Sequence, residues 1–249
     1  MKLDRIIAVR NRKTIYRDGE LCMKVFDASY SMADVLGEAL NQARVGETSL
    51  NVPAVREVAV IDGKAAIISD FIRGKTLAQL LHDEPERRDE LLSLLATLQT
   101  QIHSESCPQL ESLRDKLARK LLCTDFDATT RYDLHSRLDA MPRQGNLCHG
   151  DFEPENVIIA EDGTPYIIDW SHASKGNPAA DAARTYQLLC LSGDTEGAKR
   201  YLELFCGQNG IDERSIWLWM PIVAAAQTLS ANEEERSYLC TLVGSGARF

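Results

Sequence analysis

Through residues 3–71 apolar and polar positions alternate in short runs rich in Ile, Val, Tyr and Phe. Strand-like segments cover 3–9, 12–17, 20–26, 56–61 and 64–71, with Asp-Gly pairs at Asp18-Gly19 and Asp62-Gly63 between partners. Asp-Gly is a strong hairpin signal because both residues tolerate the positive φ of a tight turn. The pattern predicts an antiparallel sheet of five strands. Between the hairpins the period changes: Val35, Leu36, Ala39, Leu40 and Ala43 recur at helical spacing, predicting one helix over 32–45. Ser31 is placed to cap it, and Pro53 keeps the chain extended afterwards.

After Phe71 the helical period dominates, over 77–81, 87–104, 110–122, 179–191, 195–206, 213–229 and 233–243. A third pair, Asp162-Gly163, predicts a hairpin alone among helices, apolar on both faces and therefore buried. The expected class is α+β with two lobes. A small β-rich lobe over 1–72 meets a larger, mainly helical lobe over 73–249 at Ser69-Asp70-Phe71-Ile72-Arg73-Gly74.

Composition narrows the function classes. The 249 residues carry a net charge of −9, which disfavours binding to a nucleic-acid backbone. The chain starts without the long apolar stretch of a secretory signal, and runs such as 220–226 fall short of the roughly 20 residues needed to span a bilayer. Seven scattered cysteines form no C-x-x-C pair, so neither a zinc knuckle nor a dithiol redox site is supported, and Cys148 reads as a buried filler. The expectation is a cytoplasmic chain with neither nucleic-acid nor membrane partner. Its oligomeric state is left open.

The candidate chemistry gathers late in the chain. His149, Asp151 and Asn156 form a His-x-Asp-x-x-x-x-Asn arrangement, and Ile168-Asp169-Trp170 follows the third hairpin. A turn centred on Asp162-Gly163 sets Asn156 directly opposite Asp169, with Cβ atoms about 4.5–5.5 Å apart. An amide oxygen and a carboxylate so placed can share one hard cation. Asp151, five residues before Asn156, is a carboxylate held apart from that pair. Metal ligands plus a separate carboxylate are the equipment of phosphoryl transfer: one part neutralises phosphate charge, the other orients a hydroxyl and takes its proton.

His149-Gly150-Asp151-x-x-x-x-Asn156 with Ile168-Asp169-Trp170, and Gly176-Asn177-Pro178-x-x-Asp181-x-Ala183-Arg184 beyond, resembles the aminoglycoside phosphotransferase and choline kinase-like branch of the protein-kinase-like fold. The resemblance implies that Asp151 is the catalytic base and that Asn156 and Asp169 bind Mg²⁺. It implies that Lys24, in Cys22-Met23-Lys24-Val25-Phe26, grips the α- and β-phosphates while Glu38, preferred over Glu47, holds it in place. Asp70, Phe71 and Ile72 become the hinge that meets the adenine edge. His149 braces its loop, and Asp181 anchors that loop by accepting backbone amides.

Some features depart from the family pattern. Arg10-Asn11-Arg12-Lys13-Thr14 lacks the glycine that lets a loop approach phosphates, so either Arg12 or Lys13 contacts phosphate or both are merely solvated. Glu153 replaces the lysine that kinases acting on proteins carry there, and suits a cationic small molecule or faces solvent. Gly74-Lys75-Thr76 is no P-loop, since Ser69 stands where glycine is required. His82, His103, His135 and His172 show no metal spacing. Trp217, Trp219, Glu233, Glu234 and Glu235 are candidate acceptor-wall residues or, for the aromatics, core. The sequence thus predicts a Mg²⁺-dependent transfer of the ATP γ-phosphate, with GTP as an alternative donor, to a hydroxyl of an amino alcohol, sugar or aminoglycoside-like molecule. The alternative is a nucleotide-binding regulator without transferase activity.

Overall fold

A computed structural model describes residues 5–10 and 12–245. The expected start of the first strand at Leu3 and Asn11 of the glycine-free turn lie outside the described residues. In chain order come β1 (Arg5–Arg10), β2 (Lys13–Asp18), β3 (Leu21–Phe26), α1 (Met32–Val45), β4 (Val55–Ile61), β5 (Lys64–Asp70) and β6 (Gly74–Thr76). Next are α2 (Leu77–Asp83), α3 (Arg88–Ser104), α4 (Leu113–Cys123), α5 (Ala128–Ala140), β7 (Asn146–Cys148), β8 (Val157–Ala160) and β9 (Pro165–Ile167). The chain closes with β10 (Ser174–Gly176), α6 (Pro178–Leu191), α7 (Thr195–Asn209), α8 (Glu213–Gln227) and α9 (Glu233–Ser245).

Contacts divide the chain into two compact units. One comprises residues 1–82 and 154–172, the other 83–153 and 173–249. Residues 154–172 join the first unit because β6 pairs with β8, which in turn pairs with β9. The hairpin therefore does not stand alone as the sequence suggested. Gly74 makes this pairing possible, since a Cβ there would fall 2.0 Å from the Ile159 carbonyl oxygen.

The first unit holds the expected five-stranded antiparallel sheet, ordered β1-β2-β3-β5-β4. Helix α1 starts where Ser31 accepts from the Asp34 amide while Asp34 accepts from the Ser31 amide, a reciprocal capping box. Its buried face presents Val35, Glu38 and Ala39, and Val35 and Ala39 pack with Phe26 and Ile67 of the sheet.

The hairpins differ in register. The β4–β5 turn is the expected Asp62-Gly63, and both residues have positive φ, 49° and 76°. In β2–β3, Asp18 pairs with Leu21, so the turn is Gly19-Glu20 and only Gly19 has positive φ. In β8–β9, Val157 pairs with Ile167. Ala160 and Thr164 flank a three-residue turn in which Gly163 alone has positive φ. The predicted two-residue turn at Asp162-Gly163 is thus wrong by one position: Asn156 accepts from the amide of Ile168, at 2.9 Å, rather than facing Asp169. Nor is the hairpin buried on both faces, since Ile158, Ile159 and Tyr166 are half-exposed.

The second unit is mainly helical, with α3 against α7 and α8 against both α6 and α9. Short strands β7 and β10 pair within it. Helix α5, capped by Asp127, was not anticipated, because its buried side comprises just Leu134 and Leu138 and gives little periodic signal. The 110–122 helix begins later than its pattern, at Leu113, where Ser112 caps it. No helix among the described residues is long and apolar enough to cross a membrane.

Candidate active site

On β3 the side chains of Met23 and Val25 face one way, and those of Cys22, Lys24 and Phe26 the other. Cross-strand register sets Ile15 of β2 and Ile67 of β5 on either side of Lys24. All three line a cavity of about 320 Å³ within the first unit. Its wall also contains Lys13, Asp70, Phe71, Ile72, Asn156 and Asp169.

Lys24 Nζ lies 2.5 Å from Glu38 Oε1 and 3.0 Å from Asp169 Oδ2. Burial alone would lower the Lys24 pKa, but the Asp169 and Glu38 carboxylates outweigh it and the net direction is up. Asp169 shows the converse balance. Burial would raise its carboxyl, yet the Lys24 and Lys13 ammoniums hold it well below the usual carboxylate range. Glu38, whose side chain is 8% exposed, reaches this cluster from the buried face of α1. Glu47 is exposed and takes no part.

Lys13 is not the solvated residue that one reading of the sequence allowed. Its Nζ lies 3.0 Å from Glu38 Oε2 and over the rings of Phe26 and Tyr30, 5.1 and 5.5 Å from their centroids. Two lysines thus share one carboxylate at the cavity wall. The sequence raised Lys13 as a phosphate contact but gave no sign of this sharing, which depends on Lys13 pairing opposite Phe26.

Asp169 leaves the hairpin with φ 62°, a left-handed conformation uncommon outside glycine. Its Oδ1 is buried without a hydrogen-bond partner among the described residues. Such an acceptor fits a cation, and Asn156, almost fully buried, adds an amide oxygen to the same cavity wall. The structure therefore brings Lys24, Glu38, Asn156 and Asp169 to one place, though not by the register the sequence suggested.

Two of the three residues read from the sequence as a hinge, Asp70 and Phe71, are fixed by local contacts. The Phe71 amide donates to the Glu20 carbonyl at 2.8 Å, and the Arg17 guanidinium lies 4.1 Å above the Phe71 ring. Asp70 accepts from Arg56 at 2.6 and 2.9 Å, while its amide donates to Ala54.

Asp151 belongs to the second unit, where Asp181 organises its loop. Asp181 accepts from the amides of His149 and Gly150, at 3.1 and 2.7 Å, and also bonds His103 and Gln99. Burial would raise the Asp181 carboxyl, but these donors, His103 foremost, lower it from 3.8 to about 2. His103 is accordingly a buried partner of Asp181. The fully buried His149 accepts from the Asp151 amide through Nδ1, at 3.2 Å. Arg184 Nη2 binds Asp151 Oδ1 at 3.0 Å, a partnership that the motif contained but sequence reasoning did not assign. Cys148 is fully buried, and burial pushes its thiol up. Trp219 is core, whereas Trp217 is half-buried and donates to Glu213.

A family model described as the phosphotransferase enzyme family matches residues 8–219. No curated protein matches the sequence. Among solved structures, a thermostable mutant of aminoglycoside phosphotransferase APH(4)-Ia in ternary complex with AMP-PNP and hygromycin B is similar at a TM-score of 0.74 and 18% identity, covering 98% of this chain and 94% of that one. An aminoglycoside-3'-phosphotransferase of type VIII is similar at 0.67 and 20% identity, covering 90% and 92%. Choline kinase LicA from Streptococcus pneumoniae gives 0.66 and 14%, covering 100% and 94%.

Proposed function

The chain belongs to the phosphotransferase enzyme family, and from that premise we propose that it is a small-molecule kinase, moving the ATP γ-phosphate to an acceptor hydroxyl. The observation that carries the reading is Lys24 held between Glu38 and Asp169 in the wall of a nucleotide-sized cavity. Lys24 grips the α- and β-phosphates, and Glu38 fixes its direction. Lys13 supplies a second ammonium at the phosphates, in place of glycine-loop amides. Asp70, Phe71 and Ile72 meet the base edge, and Ile15, Ile67 and Ile168 pack on its faces. Asn156 and Asp169 would hold Mg²⁺, which when bound supplies charge neutralisation at the phosphates.

Asp151 orients the acceptor hydroxyl and takes its proton as the oxygen bonds to the γ-phosphorus. The bond from that phosphorus to the bridging oxygen breaks, and ADP leaves with the electron pair. Arg184 and the Asp181-held backbone position Asp151 for this step. Most of the acceleration is then positioning and charge stabilisation. The neighbours that carry AMP-PNP or ADP support the nucleotide assignment. The proposed setting is a cytoplasmic enzyme with GTP as an alternative donor.

Calorimetric titration with ATP and Mg²⁺ tests the nucleotide half. Wild type binds, whereas Lys24→Met and Asp169→Ala bind at least about tenfold more weakly through loss of charge-assisted contacts. Equal binding in all three proteins contradicts the assignment. Nucleotide binding without turnover on any hydroxyl acceptor indicates a regulator instead.

A further inference from the structure

The chain is acidic as a whole, yet three basic side chains, Lys116, Lys120 and Arg184, interact with Asp151. Lys116 and Lys120 stand one turn apart on α4, and Lys120 lies within electrostatic reach of Lys116, Arg184 and Asp151. Lys120 is partly buried and makes no hydrogen bond or ion pair among the described residues. Arg184 spends one nitrogen on Asp151, and its Nε is buried without a hydrogen-bond partner among the described residues. Of the acids that act on Lys116, Glu111 pairs with Arg119 at 2.5 Å, and Asp181 holds His103, Gln99 and the loop amides.

Withdrawing a cation from water without pairing it is costly. Burial, together with the repulsion of Lys116 and Arg184, pushes Lys120 down to about 8. A buried guanidinium donor left unmatched adds a further cost. Both costs fall on side chains that interact with the carboxylate assigned to the acceptor hydroxyl, and a ligand oxyanion beside it would relieve the one on Lys120.

We propose that the acceptor is a hydroxylated anion, whose carboxylate or phosphate is received by Lys120 and Arg184 beside Asp151. This rests on the phosphotransfer reading and deepens it by naming the substrate class. It runs against the expectation drawn from Glu153 that the acceptor is cationic. Lys116 adds to the field from one turn away and is not itself required to touch the ligand.

The test uses the full chain with its nucleotide site filled by a non-hydrolysable ATP analogue and Mg²⁺. Glycerol and glucose serve as scaffolds, each offered neutral, as a carboxylate, as a phosphate ester and as an amine, with binding read by saturation-transfer NMR. Carboxylate or phosphate members are expected to bind about tenfold more tightly than neutral or amine members. Whichever of the two binds better identifies the anionic group. Lys120→Ala removes the preference, and Lys120→Arg retains most of it. Both variants bind the analogue as wild type does, which shows that they are folded. A preference for the amines, no discrimination, or a preference surviving in Lys120→Ala overturns the proposal. Failure of wild type to bind the analogue at all overturns the phosphotransfer reading, and this proposal with it.

Discussion

Lys13 and Lys24 are held in direction by a single carboxylate on α1, so on the proposed function Glu38 is the residue on which their alignment toward phosphate depends. Glu38→Gln keeps the shape and removes the charge that aligns both ammoniums. Phosphoryl transfer is expected to fall about 100-fold, a typical cost of misplacing a catalytic contact, with nucleotide affinity changing less. Steady-state kinetics alongside calorimetry separates the two effects, and an unchanged rate contradicts the assigned role.

Asp181 makes a second prediction, this one about pH. Its folded pKa of about 2 lies below the ordinary 3.8, so it contributes stability that is present above 3.8 and lost as pH falls through about 2. The stability gap between wild type and Asp181→Asn should therefore narrow over that window. Urea titrations at stepped pH measure it, and a constant gap contradicts the account of Asp181 as a carboxylate held by its donors. Both Glu38 and Asp181 were legible only through the family resemblance, with Glu38 preferred over Glu47 for its place inside the helix. The Arg184 contact was not, because it links positions 33 residues apart and leaves no local pattern.

At the scale of elements, turn chemistry decided where sequence reading succeeded. Three Asp-Gly pairs look alike, but only Asp62-Gly63 puts both residues at positive φ. The other hairpins place a single glycine there and take a different register. The strands were therefore readable while two of their pairings were not, since register depends on loop length rather than on the strands' own residues. Strand β6 escaped notice because three residues carry no period. Its importance can be measured at Gly74. Gly74→Ala drives a Cβ into the Ile159 carbonyl and should destabilise the fold by about 1–3 kcal/mol, as overpacking does. The control is Gly37→Ala, in α1 with open space at its Cβ, which should stabilise by about 0.5–1 kcal/mol through helix propensity. Chemical denaturation of both variants checks the pair, and equal effects would contradict the close packing of β6 on β8.

For the whole molecule, a two-part α+β organisation was legible because the hydrophobic pattern is mainly strand-like before Phe71 and mainly helical after it. Helix α5 was hidden by its weak apolar face, and the grouping of 154–172 with the first unit required pairings distant in sequence. Composition said little about the acceptor. A net charge of −9 suggests a preference for cations, whereas the side chains around Asp151 favour the opposite sign. Nucleotide linkage applies to the molecule as a unit. Ligand at 100 times its Kd stabilises a binding protein by about 2.7 kcal/mol. For a chain of this size that amounts to about 5–10 °C in Tm. Thermal unfolding with ATP and Mg²⁺ should show such a rise, and Lys24→Met should not.

The most direct measurement of the central claim is acceptor-dependent ADP release, with ATP, Mg²⁺ and hydroxylated acceptors of each charge, in wild type and Asp151→Asn. The account predicts turnover in wild type, its loss by about 100-fold or more in Asp151→Asn, and nucleotide binding retained in both. Turnover that survives in Asp151→Asn would contradict the assignment of Asp151 as base. Nucleotide binding with no acceptor-dependent release in wild type would contradict the kinase itself.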